Sequence, residues 1–246
     1  MPNLAHTAAI ILAAGKGTRI KAKNKNKVAF HLNGKSMISY TVDHLLDAGI
    51  SRIFAVVGFQ SDSVKKELGD RVEYVEQNEQ LGTGHAVKTA LPYLPEDTET
   101  VLSVYGDDSA FYPPSLYQEM VTKRQALGCD LLFLTVHKDN PFGLGRIVRD
   151  GSGRVVRIVE EKNASGTEKK IQEINTGFYC FSKDFLFEYI DSIEKNPVSG
   201  EYYLTDMVEI ALKNGKKVEA FFVPDSSIWH GVNTREDLAS AKKKIK

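Results

Sequence analysis

An apolar run from Ala8 to Leu12 passes without a break through Ala13 and Ala14 into Gly15-Lys16-Gly17-Thr18-Arg19. A buried strand therefore ends in a glycine-rich, cationic loop. A strand that is apolar on both faces has to be covered on both, as parallel sheets between two helix layers are, and the loop at its carboxyl end lies where open α/β sheets take their ligands. Glycines let the backbone turn tightly and bring N–H groups up to an anion, while Lys16 and Arg19 add the countercharge a polyphosphate needs. Two better-known loops do not fit. The dinucleotide fingerprint needs a third glycine, whereas Arg19 is followed by Ile20, and the glycine a Walker loop needs ahead of Gly34-Lys35-Ser36 is replaced by Ala29. Asn33-Gly34 reads instead as a turn.

Strands and helices then alternate. Periodicity and stop signals predict a strand near 7–12, a helix from Met37 to Ala48 stopped by Gly49 and a strand from Arg52 to Val57. A helix near 62–68, a strand at 72–75, a helix from Thr83 to Ala90 and a strand from Val101 to Tyr105 follow. After a strand at 130–136, residues 146–149 and 155–159 flank Asp150-Gly151-Ser152-Gly153, a hairpin with a glycine-rich turn. A strand at 176–181, a helix from Tyr202 to Leu212, a strand at 218–223 and a helix from Thr234 to the lysines at 242–244 complete the chain. The expected class is α/β, a doubly wound, mostly parallel, Rossmann-like sheet with a small antiparallel hairpin lobe, in one domain over residues 1–246.

Lys plus Arg and Asp plus Glu are both 32, so no global field recruits nucleic acid or an anionic membrane, and phosphate affinity has to be local. It is concentrated in Lys16, Arg19, Lys21, Lys23, Lys25 and Lys27. No aromatic residues interleave with these lysines, which argues against a nucleic-acid surface. No segment is long enough to span a bilayer, and Cys129 and Cys180 sit far apart in apolar surroundings, which suits a reducing cytoplasm. No histidine pairing or cysteine cluster marks a zinc site, and no Gly-x-Ser-x-Gly elbow marks a serine nucleophile.

The strand at 101–105 ends in Gly106-Asp107-Asp108, which sets two acids at the sheet edge facing the first loop. Mg²⁺ is the natural bridge, because it takes one or two protein oxygens and completes its shell with phosphate and water. Between a strand and a helix, Gln77-Asn78-Glu79-Gln80-Leu81-Gly82-Thr83-Gly84-His85 offers amides and glycine backbone suited to a pyrimidine edge. His85, on the first turn of that helix, is read as structural, because a phosphate nucleophile needs no proton removed.

These motifs resemble, in order and over nearly the whole chain, the nucleotidyltransferases that join a nucleoside triphosphate to a sugar 1-phosphate. The likeness is greatest to the uridylyltransferase domains of bacterial N-acetylglucosamine-1-phosphate uridylyltransferases, without their acetyltransferase domain or the trimer surface it carries. It rests on the glycine loop, Glu79 to Ala86, Tyr105-Gly106-Asp107, Gly145 to Asp150, Ile158-Val159-Glu160, Glu173 to Gly177, Gly200 to Asp206 and Gly231-Val232-Asn233. The resemblance implies a nucleotide site at Leu12, Ala14, Gly15, Gly17, Thr18, Arg19, Lys27, Gln77, Gly82 and Thr83. It implies a sugar site at Tyr105, Gly145, Glu160, Asn175, Tyr203 and Thr205. Asp107 and Asn233 would hold Mg²⁺, and Arg19, Lys27 and Asp107 would carry the transfer from UTP to the sugar 1-phosphate. A different triphosphate, a different sugar or polyol phosphate, or a catalytically silent sugar-nucleotide sensor are the alternatives. Three positions depart from the pattern. Asn26 stands where a proline usually precedes the lysine, with one extra residue ahead of it. Asp108-Ser109-Ala110 follows the metal acid, and Leu144 replaces an aromatic.

Overall fold

The computed structural model describes residues 4–20, 22 and 24–245. The first strand, β1 (Thr7–Ala13), is followed by a hairpin of β2 (His31–Leu32) and β3 (Lys35–Ser36), whose turn residues Asn33 and Gly34 both have positive φ. α1 (Met37–Asp47), β4 (Arg52–Val57), α2 (Ser61–Leu68), β5 (Glu73–Glu76), α3 (Thr83–Ala90) and β6 (Thr100–Tyr105) continue the alternation. Next come α4 (Pro114–Leu127), β7 (Leu131–His137), the hairpin β8 (Arg146–Arg149) and β9 (Val155–Val159), and β10 (Glu173–Ser182). The chain ends with α5 (Lys183–Tyr189), α6 (Asp206–Lys213), β11 (Val218–Val223) and α7 (Arg235–Lys244).

The main sheet runs β11-β7-β10-β6-β1-β4-β5, with β8 pairing β10 and β9 off this path. β6, β1, β4 and β5 are mutually parallel, β11 is parallel to β7, and β10 runs antiparallel to both of its neighbours. The alternation of β1 sets the two layers. Ala9, Ile11 and Ala13 pack with Ile38 and Val42 of α1, Val64 of α2 and Met120 of α4. Ala8, Ile10 and Leu12 face the other way, against Val87 of α3, Phe185 of α5 and Met207 of α6. Fully burying a side chain such as Ile10 or Ile11 stabilises by about 1.5–3 kcal/mol.

The structure departs from the sequence expectation at several elements, the short β2 and β3 on either side of the expected Asn33-Gly34 turn among them. α4 and α5 were not anticipated, although Pro113-Pro114 and the left-handed Gly128 bracket α4 in the manner of helix boundaries. The helix expected from Tyr202 begins only at Asp206. Residues ahead of it are held to Leu81 and the first turn of α3 instead: Tyr202 N–H donates to the Leu81 carbonyl, the Tyr202 carbonyl accepts from Gly84 N–H, and Leu204 N–H donates to Thr83 Oγ1. The hairpin lobe is present, joined to β10 at Arg146 and Ile174. Cys129 and Cys180 are buried free thiols. Among the described residues no helix is long and apolar enough to cross a membrane.

Candidate functional site

A cleft of about 590 Å³ opens over the carboxyl ends of β1 and β6. Its floor at one end is the glycine loop. The Gly106 N–H donates to the Leu12 carbonyl, which locks the ends of β6 and β1 side by side, and Val232 N–H donates to the Asp107 carbonyl, which brings the C-terminal segment onto the same edge. No N–H group from Gly15 to Arg19 has a partner among the described residues. A run of such amides beside Lys16 and Arg19 is an anion cradle.

Lys27 is the centre of this end. Its ammonium forms an ion pair with Asp107 Oδ2 and donates to Asn233 Oδ1 at 3.2 Å. Both side chains of the ion pair are mostly buried, at 16% and 17% exposure, so the pair is little screened. Asp107 and Asn233 thus turn two oxygens, one of them charged, onto one cation. That is the donor chemistry Mg²⁺ takes from protein when phosphates supply the rest. No cluster of three or more His, Cys, Asp and Glu side chains is arranged for a metal among the described residues.

Asp107 and Asp108 both line the cleft, in different surroundings. Asp108 is buried, and its Oδ2 accepts from the Trp229 indole at 3.2 Å. Burial, and then the charge of Asp107, push its carboxyl well above the usual range. Asp108 lines the cleft beside Trp229, and Asn233 supplies the second oxygen at Lys27.

The amide loop shapes the next stretch of the cleft. Gly82 has φ of 101°, and a Cβ there would lie 2.5 Å from the Tyr202 carbonyl oxygen, so only glycine lets the two segments close. Gln77 is buried, with its amide nitrogen donating to the Gly82 carbonyl at 3.1 Å and bonded to His85 Nδ1 at 2.9 Å. His85 is accordingly engaged by a neighbour, and the Gln77 nitrogen is spent within the protein.

At the far end, a register shift in β10 between Asn175 and Tyr179 lifts Asn175 and Gly177 into the cleft. Gly177, with φ of 82°, leaves the room that the Tyr105 ring fills, since a Cβ there would fall 1.9 Å from the ring. Asn175 is fixed by both ends of its amide: Nδ2 donates to the Tyr179 hydroxyl at 2.6 Å, and Oδ1 accepts from Gly177 N–H at 3.1 Å. The hairpin lobe contributes Gly145 and Glu160, and burial pushes the Glu160 carboxyl above the usual glutamate range.

Leu12, Ala14, Gly15, Gly17, Thr18, Arg19, Lys27, Gln77, Gly82, Thr83, Tyr105, Asp107, Gly145, Glu160, Asn175, Thr205 and Asn233 all line this one cleft. Tyr203 does not. Its hydroxyl donates to Ser199 at 2.6 Å, and Lys162 lies 5.6 Å from its ring. Lys21 and Lys23 lie outside the described residues, and Lys25 is paired with Glu67 at 2.9 Å. Sequence reasoning passed over Trp229 and Glu201, which also line the cleft. Trp229 is the sole tryptophan and stands two residues before the Gly231-Val232-Asn233 motif, a signal that was available.

A family model described as Nucleotidyl transferase matches residues 8–246. The chain belongs to the nucleotidyl transferase family. Among curated relatives of this transferase, it is 46% identical over 235 residues to the "Bifunctional protein GlmU" of Geobacillus sp. (strain WCH70), covering 96% of this chain and 51% of that protein. With the same-named protein of Enterococcus faecalis it shares 42% identity over 235 residues, again 96% of this chain and 51% of the relative. The transferase thus spans about half the length of the curated relatives it matches. In fold it is similar to a Bacillus anthracis crystal structure described as a glucose-1-phosphate thymidylyltransferase in complex with a sucrose, at 22% identity. The TM-score is 0.79, over 96% of this chain and 94% of that one.

Proposed function

We propose that this nucleotidyltransferase moves a uridylyl group from UTP to N-acetylglucosamine 1-phosphate, with Mg²⁺, releasing pyrophosphate and UDP-N-acetylglucosamine. The observation that carries the reading is the convergence of Lys27, Asp107 and Asn233 beside a loop of unpartnered amides, at one end of a cleft whose other end is uncharged apart from Glu160 and Glu201. Anion and cation chemistry are gathered at the triphosphate end. Hydrogen-bonding groups are gathered at the sugar end.

A phosphate oxygen of the sugar 1-phosphate attacks the α-phosphorus in line, a new P–O bond forms, and the bond to the β-phosphate oxygen breaks with pyrophosphate as leaving group. No proton has to be removed, so no general base is required. The amides of the glycine loop and Arg19 hold the β- and γ-phosphates, and Lys27 meets charge developing on the nonbridging α-oxygens. Asp107 and Asn233 would hold Mg²⁺, which supplies further neutralisation of phosphate charge. Glu160 and Asn175 accept from and donate to sugar hydroxyl and acetamido groups, which fixes the attacking phosphate for the in-line approach.

Uracil and the N-acetylglucosamine pocket are carried by the resemblance at Gln77, Gly82, Thr83, Glu160, Asn175 and Thr205. One observation favours a second sugar phosphate. Leu144, where the resembling enzymes carry an aromatic, packs toward the core, while Phe142, two residues earlier, is 77% exposed. Pyrophosphate release measured across a matrix of nucleoside triphosphates and sugar 1-phosphates, with and without a divalent cation, tests the proposal. Fastest turnover with UTP and N-acetylglucosamine 1-phosphate supports it. Release that is fastest with another pair moves the substrate assignment, and no release with any pair refutes the activity.

A further inference from the structure

We infer that Asn26 is a positioning residue that holds the glycine loop in the shape that receives a nucleotide's phosphates. The inference rests on the reading that this loop is the phosphate site. Asn26 is 1% exposed, and every polar atom of its side chain is used. Its Nδ2 donates to the carbonyls of Ala13 at 2.9 Å, Phe59 at 2.7 Å and Gly15 at 3.3 Å, and its Oδ1 accepts from Val28 N–H at 3.1 Å. Its own N–H donates to Ser63 Oγ at 2.9 Å. One carboxamide therefore ties the end of β1, the glycine loop, the segment after β4 and the turn that bears Lys27.

The tie has a direction. In a trans peptide the N–H points opposite to the C=O, so drawing the Gly15 carbonyl in to Asn26 turns the Lys16 N–H away from it. The amides of the loop from Gly15 to Arg19 have no partner among the described residues, and the loop's other tie, Ala22 N–H donating to the Gly17 carbonyl at 3.3 Å, bears on the Thr18 N–H and leaves the Lys16 N–H to Asn26. Asn26 also sits next to Lys27, so the same side chain sets the spacing between the amide cradle and the ammonium.

The backbone of Asn26 has φ of −63° and ψ of 145°, angles that proline adopts without strain. The resembling enzymes' proline would therefore keep the course of the chain at Lys27. It would lack both the carboxamide and the N–H that reaches Ser63. This chain, which carries an extra residue between Arg19 and Lys27, has gained a side-chain tether where the resemblance has only a stiff turn.

The test compares wild type with Asn26→Ala and Asn26→Pro in steady-state kinetics with UTP and N-acetylglucosamine 1-phosphate, alongside tryptic cleavage at Lys16 and Arg19. The expected result is a KM for UTP raised by about tenfold or more with the KM for the sugar 1-phosphate within about twofold of wild type. Cleavage between these residues should be faster in both variants. A residue that merely supports the fold would lower the melting temperature and the active fraction and leave both KM values unchanged. That pattern, or an equal rise in both KM values, overturns the inference. If Asn26→Ala does not fold, Asn26→Pro carries the comparison, because its backbone angles are already satisfied. If wild type turns over no substrate pair, the phosphate-site reading falls by itself, and the tether is judged by proteolysis: cleavage at the wild-type rate in Asn26→Pro overturns it.

Discussion

Lys27 and Lys25 stand two positions apart in one lysine-rich run, and their surroundings separate them. Lys27 meets Asp107 and Asn233 in the cleft, whereas Lys25 pairs with Glu67 at 35% exposure on the outer side of the loop. Lys27→Ala is therefore expected to lower kcat by orders of magnitude, and Lys25→Ala to change it by less than about threefold, since a partly exposed ion pair contributes only about 0–1 kcal/mol. Equal losses in the two variants would show that the run acts as a diffuse field. The identity of Lys27 was legible in the sequence only through register with Val28 to Met37. Its partner Asn233 lies 206 residues away, and nothing local in the sequence joins the two. The different surroundings of Asp107 and Asp108 were not legible for the same kind of reason: both line the cleft, but Asp107 meets Lys27 and Asp108 accepts from the distant Trp229.

At the scale of elements, β1, β4 and β6 were legible because continuous apolar runs have few other uses, and α7 because Lys242, Lys243 and Lys244 suit a helix C-terminus; the structure adds a capping box of Thr234 and Asp237 at its start. Thr234→Ala should cost about 1 kcal/mol, read as a lower melting temperature with little change in KM. The start of α6 was not legible, because Tyr202 and Leu204 bond to Leu81 and the first turn of α3, and periodicity is blind to such partners. Asp206, the first residue of α6, carries a cost of this arrangement. Burial, and then the charges of Glu209, Glu160 and Glu194, push its carboxyl up from 3.8 to about 6. The raised value means that the folded protein binds this proton more tightly than the unfolded chain does. Stability from Asp206 is fully present below the ordinary value and is lost as pH rises through about 6. Asp206→Asn is accordingly expected to unfold at higher denaturant than wild type at pH 7.5, with the difference closing toward pH 4. A difference that is constant across this window would remove the titration argument. Under the proposed function, the β8–β9 lobe, which brings Gly145 and Glu160 to the cleft, is where substrate choice is set. N-acetylglucosamine 1-phosphate is expected to exceed glucose 1-phosphate by roughly tenfold to a hundredfold in kcat/KM with UTP, the range that about 1–3 kcal/mol for an unpaired buried group allows. A ratio near one would leave the transfer chemistry standing and remove the N-acetylglucosamine assignment.

Over the whole molecule, residues from β1, β6, the bulged β10, the hairpin lobe and the segment before α7 meet at one edge of one sheet. The sheet does this because β1 and β6 are neighbours whose carboxyl ends coincide, and because β10 runs back beside β6 to bring its amino-terminal half to the same edge. The sequence placed most of these residues by motif. It did not show which of them touch, since contact depends on crossovers that bring positions as distant as Lys27 and Asn233 within 3.2 Å. Under the proposed function the cluster of Lys27, Asp107 and Asn233 is the transfer centre, and Asp107 serves there through its carboxylate rather than by supporting the fold. Pyrophosphate release from UTP and N-acetylglucosamine 1-phosphate with Mg²⁺, compared between wild type and Asp107→Ala of matched folded fraction, tests it most directly. Rapid release by wild type, abolished by excess chelator, and a loss of several orders of magnitude in the variant are expected. Turnover by Asp107→Ala at the wild-type rate, or full turnover of wild type in chelator, would contradict it.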